Sequence, residues 1–353
     1  LAFFVLCIAF SAVSISMIRY FGVVDSITSS NHRMPFPLCE STGSFGLDKW
    51  IEPSKNLMHS MSDEELFWRA SFDPVVKEYP YKRVPKIAFM FLTKGPLPLS
   101  PLWERFFRGN EALFSIYIHS SPAFRPKFPS SSVFYKRQIP SKVSEWGQMS
   151  ICDAERRLLA NALLDVGNER FVLLSESCVP LHNFTAVYAY LTGSRYSFVS
   201  SFDDPGPYGR GRYDPNMSPE VNATQWRKGS QWFEVDRRAA LLIIRDSAYY
   251  RKFSEFCRPA CYVDEHYFPT MLSIEAGSMI ANRSLTWTDW SRGGAHPATF
   301  GSSDVSEELV RKIREDNKRC EYNGVEGFAC FLFARKFSPN TLEGLMLMAN
   351  DIL

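Results

Sequence analysis

From Lys86 the chain runs Ile-Ala-Phe-Met-Phe-Leu92 without a polar side chain and then closes on Thr93-Lys94-Gly95-Pro96. An apolar run of this length bounded by turn residues predicts a buried strand. Phe114-Ser-Ile-Tyr-Ile-His119 repeats the pattern after a stretch able to form a helix, so strand, crossover and strand predict a parallel sheet. A short third strand is expected at Val133-Phe134-Tyr135. From Met149 to Asp165 the period changes: Ile151, Ala154, Leu158, Leu159 and Ala162 share one helical face, and Val166-Gly167 ends it. Arg170-Phe-Val-Leu-Leu174 is then another buried strand with a polar exit, Ser175-Glu176-Ser177-Cys178. Ligands of open α/β sheets gather at the carboxyl ends of strands, so this exit is a candidate part of a site. A plain strand-end turn is the equal alternative.

No long period runs from Ser200 to Lys228, where Gly, Pro, Asp, Arg, Tyr and Trp dominate. A loop this long inside a compact domain is usually functional, and its Arg and Trp suit a polyhydroxylated ligand. Further helices are expected at Asp236 to Asp246, Asp264 to Leu272, Ser306 to Asn317 and Thr341 to Leu353. A second aromatic and basic loop, Thr286 to Pro297, lies between them. In Cys261-Tyr-Val-Asp-Glu-His-Tyr-Phe268, Asp264 and Glu265 stand among aromatics, a costly setting for acids unless they are partnered or used in proton chemistry. The alternative is structural, with Asp264 capping the helix and Glu265 as its first-turn acid.

The first 18 residues, Leu1 to Ile18, carry no charge and predict a membrane anchor over residues 1–24. Residues 25–84, rich in Ser, Pro and charge with short amphipathic pieces around Glu64-Glu65-Leu66-Phe67-Trp68, read as a stem. Residues 85–353 form the expected folded domain. Of the eight cysteines, none has convincing zinc spacing, so local disulfides are the better reading if the chain is lumenal. Sequons at Asn183, Asn216, Asn222 and Asn282 fit that compartment, although Pro219 compromises the second. With 45% hydrophobic residues among 353 the chain can build a large core. A net charge of +2 without a long basic run gives no reason to expect a nucleic-acid partner.

Walker and dinucleotide glycine patterns are absent, as is a Gly-x-Ser-x-Gly elbow. Asp203-Asp204 could hold a divalent metal, but Pro205-Gly206 after it reads more as a turn.

Glu145-Trp-Gly147, Phe171 to Pro180, Trp226 to Phe233, Cys261 to His266, Trp287-Thr-Asp-Trp290 and Cys330 to Phe337, in that order, closely resemble the core-2/I-branching β-1,6-N-acetylglucosaminyltransferase family, its plant branch in particular. The resemblance spans about Pro85 to the C-terminus. It implies a GT-A-like α/β fold with a mostly parallel central sheet flanked by helices, attached to one N-terminal transmembrane helix. It further implies a single-pass type II Golgi enzyme whose lumenal domain moves a sugar from a UDP-sugar to a glycan or glycoprotein hydroxyl. Inversion occurs without a metal or other cofactor. The donor sugar is GlcNAc, GlcA or Xyl. Glu265 takes the general-base position, Lys336 the leaving diphosphate. By family position Glu145 and Trp146 join Lys336 and Arg335 at the donor. Arg212, Trp226, Arg227, Lys228, Ser230, Trp232 and Trp290 are the acceptor-side residues, with burial in the core as the alternative for the tryptophans. The family's second basic residue between two cysteines resembling Cys320 and Cys330 is missing, since Glu321 to Ala329 holds no Lys or Arg. Arg335, Arg319 and Arg314 are the substitutes to test, and a Cys320–Cys330 disulfide is expected. Two rival readings stay open: an inactive lectin-like protein, and a metal-dependent transferase using Asp203 and Asp204.

Overall fold

A computed structural model describes residues 46–47, 51–76, 78–258, 261–315, 319–327 and 329–352. The expected anchor over residues 1–24, Cys7 and Cys39 lie outside the described residues. Among the described residues no helix is long and apolar enough to cross a membrane. The chain divides after Trp50, and the compact unit runs from Ile51 to Leu353.

In chain order this unit contains α1 (Asp63–Ala70), β1 (Lys86–Leu92), α2 (Ser100–Phe107), β2 (Phe114–His119), α3 (Met149–Leu163), β3 (Asn168–Ser175), β4 (Val179–Pro180) and α4 (Phe184–Gly193). There follow β5 (Glu234–Asp236), α5 (Arg237–Arg245), α6 (Ala248–Phe256), α7 (Tyr267–Ala276), β6 (Thr286–Thr288) and α8 (Glu307–Arg314). The last elements are β7 (Glu321–Tyr322), β8 (Val325–Glu326), β9 (Phe333–Arg335), α9 (Leu342–Leu347) and α10 (Ala349–Ile352).

The central sheet has the order β2-β1-β3-β5. Its first three strands are parallel, with Leu92 beside both His119 and Ser175, and β5 is antiparallel. Side chains alternate across a strand, and here both faces are apolar because both are covered. Ala88, Met90 and Leu92 of β1, with Phe171 and Leu173 of β3, pack under Leu158 of α3, Ile243 of α5 and Met271 of α7. Ile87, Phe89 and Phe91 point the other way, onto Trp103 and Phe107 of α2 and Phe184 of α4. Phe89 alone has five aromatic neighbours, with Phe107 at 4.9 Å edge-to-face and Phe333 of β9 at 6.4 Å. Aromatic side chains thus fill much of this core.

A second sheet, β4-β9-β6, pairs β9 antiparallel to β4 and parallel to β6. Because β4 follows β3 directly, and the Phe337 amide donates to the Ser177 carbonyl at 2.9 Å, the exits of β3 and β9 are held side by side.

Three expectations need correction. Val133-Phe134-Tyr135 forms a turn rather than a strand; Phe134 is fully buried against Phe91 at 5.7 Å, so its apolar character reflects anchoring. The adjacent bridge joins Ile118 to Gln138 instead. The helix expected from Asp264 starts at Tyr267, behind a 3₁₀ turn over Val263–Glu265, and Asp264 is buried rather than a cap. Finally, part of the expected stem packs with the compact unit. Ser62 and Glu65 make a reciprocal capping box on α1, Leu66 and Ala70 are buried, and the Asp63 carboxylate accepts from Arg157 Nε at 2.8 Å and Nη2 at 2.7 Å.

The suspected Cys320–Cys330 disulfide is present, and a second joins Cys257 to Cys261. Cys152 and Cys178 are buried free thiols.

His119 at the end of β2 is fully buried, its Nε2 accepting from the Lys142 amide at 3.3 Å. Burial first, then the positive Arg157, lowers its pKa to about 4, whereas an unfolded histidine titrates near 6.5. Between those values the unfolded chain binds the extra proton, so stability is lost as pH falls. Thermal melts should show Tm dropping from pH 6.5 to 4, with His119 contributing about 1–2 kcal/mol at pH 5. His119→Gln should flatten part of that limb.

Candidate active site

The carboxyl ends of β1 and β3 and the exits of β6 and β9 open into one cleft of about 1840 Å³. Its lining holds an acid already paired with cations and a separate cluster of bases.

Glu265 is placed by three backbone devices. The Cys257–Cys261 disulfide closes the approach, and Tyr262 then adopts φ 55°, a left-handed conformation that few non-glycine residues take. The Glu265 carbonyl next accepts the Gly229 amide at 2.8 Å. The same two segments are joined again where His266 Nδ1 donates to the Arg227 carbonyl at 2.7 Å and the Arg227 amide donates to Thr270 Oγ1 at 3.0 Å. Burial, the largest cause, lowers the His266 pKa to about 3, so this imidazole is a neutral brace. The Glu265 carboxylate faces the cleft with Lys228 Nζ at 2.5 Å and Arg212 Nη1 at 3.5 Å. The Arg212 guanidinium also lies 4.4 Å over the Tyr262 ring. Next to this acid, Asp264 is 2% exposed, and burial, then the charge of Glu265, pushes its pKa up to about 7.

The other group is cationic. Lys336 and Arg335 leave β9, and Lys94 leaves β1, all lining the cleft with His296. Burial first, then Arg335 and Lys94, lowers the Lys336 pKa, with Glu176 acting the other way. His296 is lowered by burial and by Lys336, Arg335 and Lys94 together. Mutually repelling bases gathered at strand ends form a site that an anion relieves. The Arg335 guanidinium rests 4.0 Å over the Trp232 ring, and its Nε has no hydrogen-bond partner. Trp146 packs on Tyr262 and on His296, each at 4.8 Å.

Of the residues expected from the sequence, the cleft brings together Glu265, Lys336, Arg335, Trp146, Arg212, Lys228, Ser230, Trp232 and the half-exposed Trp290. Three are not in its lining. Trp226 is a core residue, 1% exposed, stacked on Phe253 and His266 with its indole N–H on the Gly209 carbonyl. The Arg227 guanidinium turns back to the Thr224 and Trp226 carbonyls. Glu145 is exposed outside the cleft, its amide donating to Ser150 Oγ.

Among the substitutes for the missing cation, Arg314 is spent on the Leu181 carbonyl at 2.5 Å, while Arg319 lines the cleft but pairs with Glu326. Lys94, which lines the cleft and acts electrostatically on Lys336, was not among the residues expected from the sequence. Its signal was its place after the first buried strand, where the strand-end rule applies as well as at Ser175. His296 follows two glycines in an irregular loop and had no such signal. Asp203 is clamped by Arg210 at 2.7 and 2.5 Å, and Asp204 Oδ1 accepts the Gly206 amide, the turn that Pro205-Gly206 implied. Among the described residues no three His, Cys, Asp or Glu side chains gather as a metal site.

A parallel-rich α/β sheet whose strand ends gather Lys94, Arg335 and Lys336 in one cleft with the Glu265 carboxylate is an arrangement suited to group transfer. The Core-2/I-Branching enzyme family model matches residues 87–314, more than half of the chain, which therefore belongs to that family of glycosyltransferases. The chain is also similar to Glycosyltransferase BC10 of Oryza sativa subsp. japonica, 38% identical over 298 residues that cover 72% of this chain and 74% of that protein.

Gly229 is where the two segments that hold Glu265 come closest. A Cβ there would meet the Ser200 carbonyl oxygen at 1.9 Å and Pro269 Cγ at 2.7 Å. Gly229→Ala should therefore cost about 1–3 kcal/mol in melts and displace the base, lowering turnover more than donor affinity.

Proposed function

We propose that the chain is an inverting glycosyltransferase that moves a sugar from a UDP-sugar to a glycan hydroxyl, without a metal, in the Golgi lumen. The observation that carries this reading is that one cleft is lined by Glu265 together with Lys94, Arg335 and Lys336. Glu265 removes the proton from the acceptor hydroxyl as its oxygen forms the new bond to the anomeric carbon. The bond from that carbon to the diphosphate oxygen breaks on the opposite face, and its electron pair leaves with UDP. The negative charge that develops there falls on the basic cluster, which takes the part a divalent ion plays elsewhere. Lys94 supplies the cation missing from the segment between Cys320 and Cys330. The engagement of Asp203 by Arg210, and of Asp204 by its own turn, supports the metal-free route.

Arg212, Lys228, Ser230 and Trp232 border the base and receive the acceptor. Trp290, exposed at the rim, offers a face for a sugar ring. The two disulfides and the exposed sequon at Asn183 support a secretory compartment, with the apolar stretch Leu1 to Ile18 as the anchor of a type II protein.

UDP release from a panel of UDP-GlcNAc, UDP-glucuronic acid and UDP-xylose, followed by an acceptor panel, identifies the substrates. Glu265→Gln should lower transfer by at least ~100-fold while leaving UDP affinity nearly intact. Transfer at close to the wild-type rate would remove Glu265 as the base. EDTA should leave turnover unchanged, and activity lost to the chelator and restored by a divalent ion would refute the metal-free route. Lys94→Ala should weaken UDP binding and lower kcat together, by roughly 10–100-fold in kcat/KM.

A further inference from the structure

Beside the base lies a second acid that the reaction outlined above does not use. Asp264 lines the cleft and is 2% exposed, yet its Oδ1 has no hydrogen-bond partner. Charged and titratable groups face it from every packed element: Glu265 on its own turn, Arg212 and Lys228 from the long loop, Arg335 from β9, and Cys152 and Glu155 from α3. The cations are committed elsewhere. Lys228 and Arg212 pair with Glu265, and Arg335 lies on Trp232. Among the described residues no ion pair reaches Asp264.

Glu155 deepens the asymmetry. It is fully buried, its Oε1 accepting from Gln231 Nε2 at 2.9 Å while Oε2 has no partner. Two dry carboxyl groups beside a third that already carries a charge cannot all ionise. Adjacent carboxylates compete for a proton as a pair, and whichever has the cations keeps its charge. Here that one is Glu265. A neutral carboxyl also puts no second negative charge beside Glu265, so Lys228 and Arg212 stay with that one carboxylate.

We propose that Asp264 serves the site as a neutral carboxylic acid, a positioning residue buried beside Glu265 whose lack of charge leaves Glu265 as the single base held by Lys228 and Arg212. This rests on the glycosyl-transfer reading of the cleft. Asparagine copies the shape and the lack of charge of the neutral acid, so Asp264→Asn should restore at pH 6 most of the kcat/KM that Asp264→Ala loses. Ionisation of Asp264 above about pH 7 should lower wild-type kcat/KM, and Asp264→Asn should lack that component of the alkaline fall. Asp264→Ala, with melting checked, should lose about tenfold in kcat/KM at pH 6.

Infrared difference spectra between wild type and Asp264→Asn at pH 6 should show the C=O stretch of a protonated carboxyl in the wild type alone. Glu155, common to both, cancels in that difference. The proposal is overturned if Asp264→Asn is as inactive as Glu265→Gln at pH 6, if it keeps the full wild-type alkaline fall, or if no such band appears. A wild-type chain that releases UDP from no donor would remove the glycosyl-transfer reading and the base that Asp264 positions. The infrared band needs no turnover and would still decide the protonation of Asp264.

Discussion

The placement of Glu265 depends on one backbone hydrogen bond, from the Gly229 amide to the Glu265 carbonyl at 2.8 Å. A glutamate on an irregular turn has too many rotatable bonds to aim by itself, and a short 3₁₀ turn supplies little stiffness. The bond makes the turn part of the wall formed by the 226–233 segment, and His266 and Thr270 fasten the same wall further along. Only a glycine allows the approach, since any Cβ would collide with Ser200. Lys228 follows from the same registry, because it is the residue before Gly229 and so arrives beside the carboxylate. The base and its partner cation are set by one contact.

The basic cluster is built on a different principle. Its cations come from the ends of strands in two separate sheets, Lys94 after β1 and Arg335 and Lys336 at and after β9, brought together because β4 continues β3 and pairs with β9. Rigid strands fix their positions, while mutual repulsion leaves their charges unsatisfied until an anion arrives. An irregular loop with a tightly paired carboxylate and a sheet with unpaired charge are complementary solutions to holding two substrates at once.

The sequence exposes the parts of this design that depend on burial. Strands β1, β2 and β3 are legible because they are covered on both faces and each contains an apolar run, and α3 because its apolar face is periodic. The three-residue β9 has no pattern of its own; only the resemblance carried by Cys330 to Phe337 marked Lys336. Within the aromatic loop, stacking and ligand contact look alike in sequence. Trp226 and Trp232 stand six residues apart, yet one fills the core and the other lines the cleft. Asp264 looked like a cap because acids before helices usually are, but His266 precedes the helix and makes no side-chain cap there. The pairing of distant segments decided each case, and that is what a local reading lacks.

The clamp of Arg157 on Asp63 bears on where the chain can be cut. Arg157 sits on α3, nearly buried, in the helix that also carries Glu155 and Cys152 beneath the cleft floor. A chain trimmed at Pro85, where the first strand is about to begin, would strip Leu66 from the core and leave that guanidinium in an apolar wall without its counter-charge. The damage would then travel along α3 toward the acids under the cleft. The N-terminal edge of the working enzyme is therefore an electrostatic boundary, set ahead of Ser62 and its capping box.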